Sequence, residues 1–491
     1  MKLEVVPTGV HALDEILPGG FLKGGVYVIH GAPGTGKTVL ANQVCFNYVK
    51  AQGRALYISL LAESHSRMLQ HLRSMAYYDD EAMPRLYFVS ATSVLASDGL
   101  RGLVDLIRRE MKRHGAGVLT IDGFSATRES AGSQQEFQRF VHEIQSHAAA
   151  LECTVLLLTT GADPMTDPAA TMVDGIIELS HRLVGRRTDR TLQVTKFRGR
   201  SFLPGAHSLR ITDAGFVVYP RIEAQSAFAA LADAPELTRC STGVHGIDAM
   251  LCGGLLAATT NGLYGPTGIG KTTFGLQFVS LSNASAPGLF FGFFESPARL
   301  RARADAMKLD LRKLEKLGYV EIVWRPQGEQ NLDALGHEIV DAVARRKVKR
   351  VFIDGYAGFL ESAIEPERLT RFISSLANEL RALGATTVVS IESRDILGST
   401  MDLPSKGLSS LLEGLILMRY VEARAEVRRL ISIAKIRDSD FDPSIHEFKI
   451  RAGRLEVGPR FEHFEALLSG FGHQPPDAER MGSRFDDSGA T

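Results

Sequence analysis

Short apolar runs recur through the first half of the chain: GVYVIH at 25–30, ALYISLL at 55–61, RLYFVS at 85–90, GVLTID at 117–122 and TVLLLTT at 154–160. They are rich in β-branched and aromatic residues and too short for helices, which predicts strands buried on both faces. Between them lie longer stretches such as EFQRFVHEIQSHAAALE at 136–152, whose apolar residues return at helical spacing with polar residues opposite. Strands alternating with amphipathic helices predict an α/β fold, a mainly parallel sheet flanked by helices.

The pattern occurs twice. TGVHALD at 8–14 returns as TGVHGID at 242–248, an offset of 242 − 8 = 234. Gly19 and Gly20 return as Gly253 and Gly254, and Gly31 as Gly265, at the same offset. LLAES with Glu63 pairs with FFESP and Glu295 at 232, VLTID ending at Asp122 with VFID ending at Asp354 at 232, and TKFRG with AKIRD at 239. Landmarks kept in one order indicate a tandem duplication. The expected domains are therefore 1–222 and 241–461, joined by an Ala-rich linker at 223–240, with a Gly-, Pro-, Asp- and Ser-rich tail at 462–491 that is expected to be disordered.

Composition narrows the function without naming it. Lys plus Arg and Asp plus Glu both number 56, so no net charge advertises a polyanionic partner. The start of the chain has no apolar leader, and no apolar run reaches the roughly 18 residues of a membrane span; a cytoplasmic protein is expected. Cys45, Cys153, Cys240 and Cys252 form no C-x-x-C pair and read as buried free thiols, and the histidines show no ligand spacing for zinc.

The chemistry lies in two loops of pattern G-x-x-x-x-G-K-[ST]: GAPGTGKT at 31–38 and GPTGIGKT at 265–272, each between an expected strand and an expected helix. Gly34, Thr35 and Gly36, and Gly268, Ile269 and Gly270, let backbone N–H groups turn onto phosphate oxygens at a helix N-terminus. Lys37 and Lys271 reach the β and γ phosphates, Thr38 and Thr272 supply a hydroxyl to Mg²⁺, and Val39 and Thr273 complete the cradle. Asp122 and Asp354 end apolar strands beside the cradles, where a carboxylate holds the shell of the same ion. Glu63 and Glu295 follow apolar strands, where a carboxylate orients or deprotonates the attacking group. The implied cofactors are ATP and Mg²⁺.

From about residue 5 to residue 455 the chain resembles the KaiC family, double-domain RecA-like ATPases and autokinases of the bacterial circadian clock. The resemblance rests on T-G-V-H-x-[LI]-D before each cradle, the cradles, the strand-terminal aspartates, the K-x-R pairs and the stretch from Leu408, with its Ser-Ser pair, Y-V-E-x-R-x-E and K-x-R-x-S. It implies a homohexamer of two stacked rings with ATP between neighbours, so that both cradles work. It further implies that Lys196 and Arg198, and Lys435 and Arg437, reach the neighbour's γ-phosphate. Ser409 and Ser410 occupy the family's two phosphoacceptor positions, as Ser-Ser in place of Ser-Thr. Where the family has two consecutive acids in each domain, the first is lost: Ala62 precedes Glu63 and Phe294 precedes Glu295. The first domain carries one extra residue before that place.

The departure keeps a second reading open, an ATP-gated signalling scaffold without kinase activity. A RecA-like ATPase acting on DNA is a third, with little to recommend it: the basic run HRLVGRRTDR at 181–190 reads as a solvated hairpin tip. Clock-type adaptors, or a sensor kinase and response regulator, are the partners compatible with the resemblance.

Overall fold

The computed structural model describes residues 4–61, 65–161, 171–225, 238–328, 330–393, 404, 407–423 and 426–461. The chain divides into two compact units, Met1–Gln225 and Ser226–Thr491. The central part of the expected linker and the whole of the expected tail lie outside the described residues. The linker's edges are ordered: Ile222–Gln225 is helical, and Arg239–Cys240 pairs antiparallel with Leu255–Leu256.

The first unit is built on a 9-stranded sheet. Across it run Gly215–Tyr219, Ala206–Thr212, Arg187–Phe197, Gly175–Val184, Val26–Gly31, Thr154–Thr159, Val118–Asp122, Ala55–Ser59 and Leu86–Ser90. Gly175–Val184 and every strand after it in that order run parallel, and the first three are joined antiparallel. The second unit repeats the arrangement in mirror listing: Val320–Trp324, Gly288–Gly292, Arg350–Asp354, Thr386–Glu392, Thr260–Gly265, Gly414–Ala423, Glu426–Ile436, His446–Arg451 and Arg454–Arg460. The strand feeding each cradle is flanked on both sides by parallel strands, so its end is held by two ladders of hydrogen bonds.

The T-G-V-H-x-x-D motif is a local device. The Asp14 carboxylate accepts from the backbone N–H of Thr8 (2.9 Å) and Gly9 (3.1 Å), and Asp248 accepts from that of Thr242 (2.7 Å), closing the turn before the short helices Leu13–Ile16 and His245–Met250. Helix Gln134–Ala150 starts where Ser133 accepts from Glu136 N–H (3.2 Å) and Glu136 reaches back to Gly132 N–H (2.8 Å). Helix Leu369–Ala382 buries Leu369, Phe372, Ile373, Leu376 and Leu380, a stripe at helical spacing. Such side chains contribute about 1.5–3 kcal/mol each on full burial.

The basic run is a hairpin, but its ends belong to the strands: Val184 pairs with Arg187 around a two-residue turn, with Gly185 at φ 61°. The thiols depart from expectation in the second unit. Cys45 and Cys153 are buried, Cys240 is half-buried and Cys252 is exposed, because Cys252 sits in a left-handed turn (φ 53°) just after helix His245–Met250.

Candidate functional site

Each cradle loop runs from its strand into a helix whose first residue is the lysine, Lys37–Lys50 and Lys271–Val279. Gly34 and Gly36 have φ of 79° and 102°, and Gly268 and Gly270 of 79° and 124°. Side chains avoid that region, which is why these places demand glycine. The loop's close approach to the sheet adds a second demand: a Cβ on Gly265 would lie 2.6 Å from the Met418 carbonyl oxygen, and one on Gly31 would run into that of Leu179.

The lysines are buried and folded back onto their own loops. Lys37 Nζ donates to the carbonyls of Gly31 (2.6 Å) and Ala32 (3.0 Å), and Lys271 Nζ to those of Gly265 (2.7 Å) and Pro266 (2.9 Å). Burial lowers the pKa of both ammonium groups, opposed at Lys37 by Asp122 and at Lys271 by Glu392 and Asp354. Thr35 Oγ1 donates to the Ala32 carbonyl (2.9 Å), Ile269 and Thr273 are buried, and Val39 packs against the core.

The residue after each lysine meets the aspartate that ends a neighbouring strand. Thr38 Oγ1 donates to Asp122 Oδ2 (3.2 Å) and Thr272 Oγ1 to Asp354 Oδ2 (2.9 Å), across 84 and 82 residues of chain. A hydroxyl and a carboxylate beside a phosphate cradle are hard oxygen donors, and among the described residues no group of three His, Cys, Asp or Glu gathers into a cage. That set fits Mg²⁺ held jointly with nucleotide phosphates rather than a resident metal. Asp354 has its pKa raised by burial, against the hydrogen bonds of Ser390 and Thr272.

The glutamates are less symmetrical. Glu63 lies outside the described residues. Glu295 pairs with Arg303 at 3.0 Å, and its charge helps raise the pKa of Asp354, so it faces the same region. Strand register corrects the alignment between the units. Ser59 pairs with Asp122 as Gly292 pairs with Asp354, and two residues beyond each, Leu61 and Phe294 lie over the glycine that follows the aspartate, Gly123 and Gly355. Leu61 and Phe294 therefore hold equivalent places, both 43% exposed. Gly31 to Ser59 is one residue longer than Gly265 to Gly292, and Ser59 to Asp122 one longer than Gly292 to Asp354, so the first unit carries an extra residue on each side of strand Ala55–Ser59.

The K-x-R pairs dock on their own chain. Lys196 Nζ donates to the Thr171 carbonyl (3.1 Å), and Arg198 to those of Met172 (3.1 Å) and Thr171. Lys435 Nζ donates to the carbonyls of Ser409 and Leu412 (both 2.9 Å), and Arg437 to that of Ser410 (2.7 Å). Burial and the neighbouring arginine lower the pKa of each lysine. Ser409 and Ser410 are exposed on the short helix Leu408–Leu411, directly braced by the basic pair.

Several contributors went unread in the sequence. Arg190, from the basic run, donates to the Gly34 carbonyl at the tip of the first cradle (2.8 Å). At the matching place the Arg429 guanidinium lies 5.6 Å from the Tyr420 ring, whose hydroxyl is 3.7 Å from where a Cβ on Gly268 would stand. Tyr57 and Ser390 hydrogen-bond the two aspartates. Ser390 left a signal, a polar residue within the buried run TTVVSIE; Tyr57 reads as any core aromatic.

The protein-family model described as "ATPase: KaiC" matches residues 6–223 and again 240–462. Among curated proteins, the chain is 23% identical to the circadian clock oscillator protein KaiC of Picosynechococcus sp., over 95% of this chain and 92% of that protein. It is 23% identical to that of Prochlorococcus marinus, over 98% of both, and 24% identical to that of Acaryochloris marina, over 96% and 92%. With both halves matched and nucleotide cradles formed in each, the chain belongs to the KaiC ATPase family.

Proposed function

We propose that the chain binds and hydrolyses Mg·ATP in both units, assembles through nucleotide into a homohexamer of two stacked rings, and transfers phosphate to Ser409 or Ser410 in the second. The observation that carries the reading is the duplicated Lys–Thr–Asp arrangement at the end of a central parallel strand.

In this mechanism Lys37 and Lys271 leave their loop carbonyls for β and γ phosphate oxygens, while the first-turn N–H groups of helices Lys37–Lys50 and Lys271–Val279 take the remaining oxygens. Thr38 with Asp122, and Thr272 with Asp354, would hold Mg²⁺, which when bound would supply positive charge to the nucleotide phosphates. Glu295 accepts the proton of the attacking water or serine hydroxyl. Lys435 and Arg437, and Lys196 and Arg198, supply positive charge to a neighbour's transferring phosphate, so that turnover depends on assembly. Phosphate on Ser409 or Ser410 would place about −1.5 to −2 charge beside Lys435 and Arg437, enough to loosen or tighten that brace and so change what a partner reads. Work in the cytoplasm with clock-type or two-component signalling partners is part of the same proposal; among the described residues no helix is long and apolar enough to cross a membrane.

Phosphopeptide mapping after incubation with Mg·ATP tests the kinase step. Phosphate on residues 409 or 410 in wild type, absent in Lys271→Ala and increased in Phe294→Glu, is the expected result. None in wild type or in Phe294→Glu would leave the second reading, an ATP-gated scaffold. Phe294 favours that reading, since it sets an apolar side chain over Gly355, next to Asp354, where the resemblance implies an acid.

A further inference from the structure

Asp122 and Asp354 end equivalent strands, yet different hydroxyls hold them. In the first unit the fully buried Tyr57, on the neighbouring strand Ala55–Ser59, donates to Asp122 Oδ2 at 2.6 Å, the same oxygen that accepts from Thr38. In the second unit the hydroxyl comes from the opposite side: Ser390, on Thr386–Glu392, donates to Asp354 Oδ1 at 2.9 Å, while Thr272 takes Oδ2. Register shows that neither partner has a counterpart. Tyr57 lies opposite Thr120 as Phe290 lies opposite Phe352, so Phe290 fills the tyrosine's place; Ser390 lies opposite Leu263 as Leu158 lies opposite Ile29, so Leu158 fills the serine's.

We propose that Tyr57 and Ser390 are positioning residues for the divalent cation of the bound nucleotide, one in each unit, and that the first unit binds that cation more tightly. The inference rests on the reading of Asp122 and Asp354 as cation-holding groups. A carboxylate ligand is oriented by the donors behind it, and removing such a donor typically weakens metal binding about 10- to 100-fold. At Asp122 both donors fall on one oxygen and turn the lone pairs of the other toward the cation. At Asp354 each oxygen carries a donor, so either face offered to the cation is already partly engaged. The phenol is also held without freedom, its ring fully buried between strands, whereas a serine hydroxyl rotates about a single bond.

Mn²⁺ binding by the full chain, followed by the electron paramagnetic resonance signal of free Mn²⁺ with a non-hydrolysable ATP analogue at a concentration that fills an intact unit but not a lysine-substituted one, tests this. Lys271→Ala isolates the first unit and Lys37→Ala the second. Tyr57→Phe is sterically safe by the precedent of Phe290, and is expected to weaken Mn²⁺ binding by the first unit at least tenfold while leaving its affinity for the analogue in EDTA unchanged. Ser390→Ala is expected to do the same in the second unit, and the unsubstituted first unit to bind Mn²⁺ more tightly than the second. Mn²⁺ affinity within twofold of the parent in Tyr57→Phe, or an equal loss of metal-free analogue binding, overturns the proposal, the latter marking a merely structural role. Asp122→Asn separates the underlying reading: if it leaves Mn²⁺ binding intact, the aspartate is not a cation-holding group and the failure lies there rather than with Tyr57.

Discussion

The two units share a frame and differ in what leans on it. Their sheets run in the same order, their lysines fold onto the same loop carbonyls, and Asp174 and Glu413 accept from the first N–H of the cradle strands, Val26 and Thr260, at 2.9 and 2.8 Å. Arg198 and Arg437 grip the carbonyls of Thr171 and Ser410 alike. The differences gather around the strand-terminal aspartate: Tyr57 donates to it in the first unit and Ser390 in the second. Duplication preserved what closes the loop and let the residues around the strand-terminal aspartate diverge.

The largest effect should come from the acid. Glu295→Gln, in a Lys37→Ala background, is expected to lower second-unit turnover roughly 10²- to 10⁴-fold with nucleotide affinity unchanged. Glu63→Gln, in a Lys271→Ala background, should lower first-unit turnover by less, about tenfold, because Glu63 stands one residue further from its strand. Steady-state phosphate release measures both, and equal losses would erase the proposed difference between the sites.

Next come the lysines. Lys37→Ala and Lys271→Ala should each weaken nucleotide binding in their own unit roughly 10- to 100-fold, since a hydrogen bond to a charged group contributes about 1.5–3 kcal/mol. Fluorescent-nucleotide titration should show the tight stoichiometry fall from two to one per chain in either variant. Loss of both sites from one substitution would mean that the units do not bind independently.

The shared frame makes its own forecast. Gly31→Ala and Gly265→Ala force a methyl group against a backbone carbonyl in each unit, and each should destabilise its unit by about 1–3 kcal/mol. Denaturant unfolding of the two variants should give similar losses; a cost confined to one would show that the loops are packed differently after all.

The smallest perturbation supplies a reporter. Burial pushes the Cys45 thiol up to about 12 and also raises that of Cys153, so at pH 8 the reactive thiolate of Cys45 is scarce, roughly one molecule in 10⁴. Cys252 is exposed. A thiol reagent on the native chain should therefore label the second unit first, and mass spectrometry of peptides bearing Cys45 or Cys153 should show modification only as the first unit unfolds or as pH rises toward 12. Early labelling of Cys45 would contradict its burial.

What the sequence determined by itself was whatever depends on near neighbours. The α/β class followed from apolar runs and helical stripes, because burial imposes a period on each element separately. The cradles were legible because positive φ at Gly34, Gly36, Gly268 and Gly270, a lysine and a hydroxyl are required within eight consecutive residues. Asp122 and Asp354 were legible as the polar ends of apolar strands. Tertiary structure alone decided what stands beside them. Tyr57 meets Asp122 across 65 residues and Ser390 meets Asp354 across 36, and Lys435 finds the Ser409 carbonyl across 26. Nothing local marks such pairs, since strand order and register choose them. Register also placed Leu61 and Phe294 at equivalent positions, because a run of similar apolar letters has no internal landmark, whereas each step along a paired strand exchanges the side chain that faces the site.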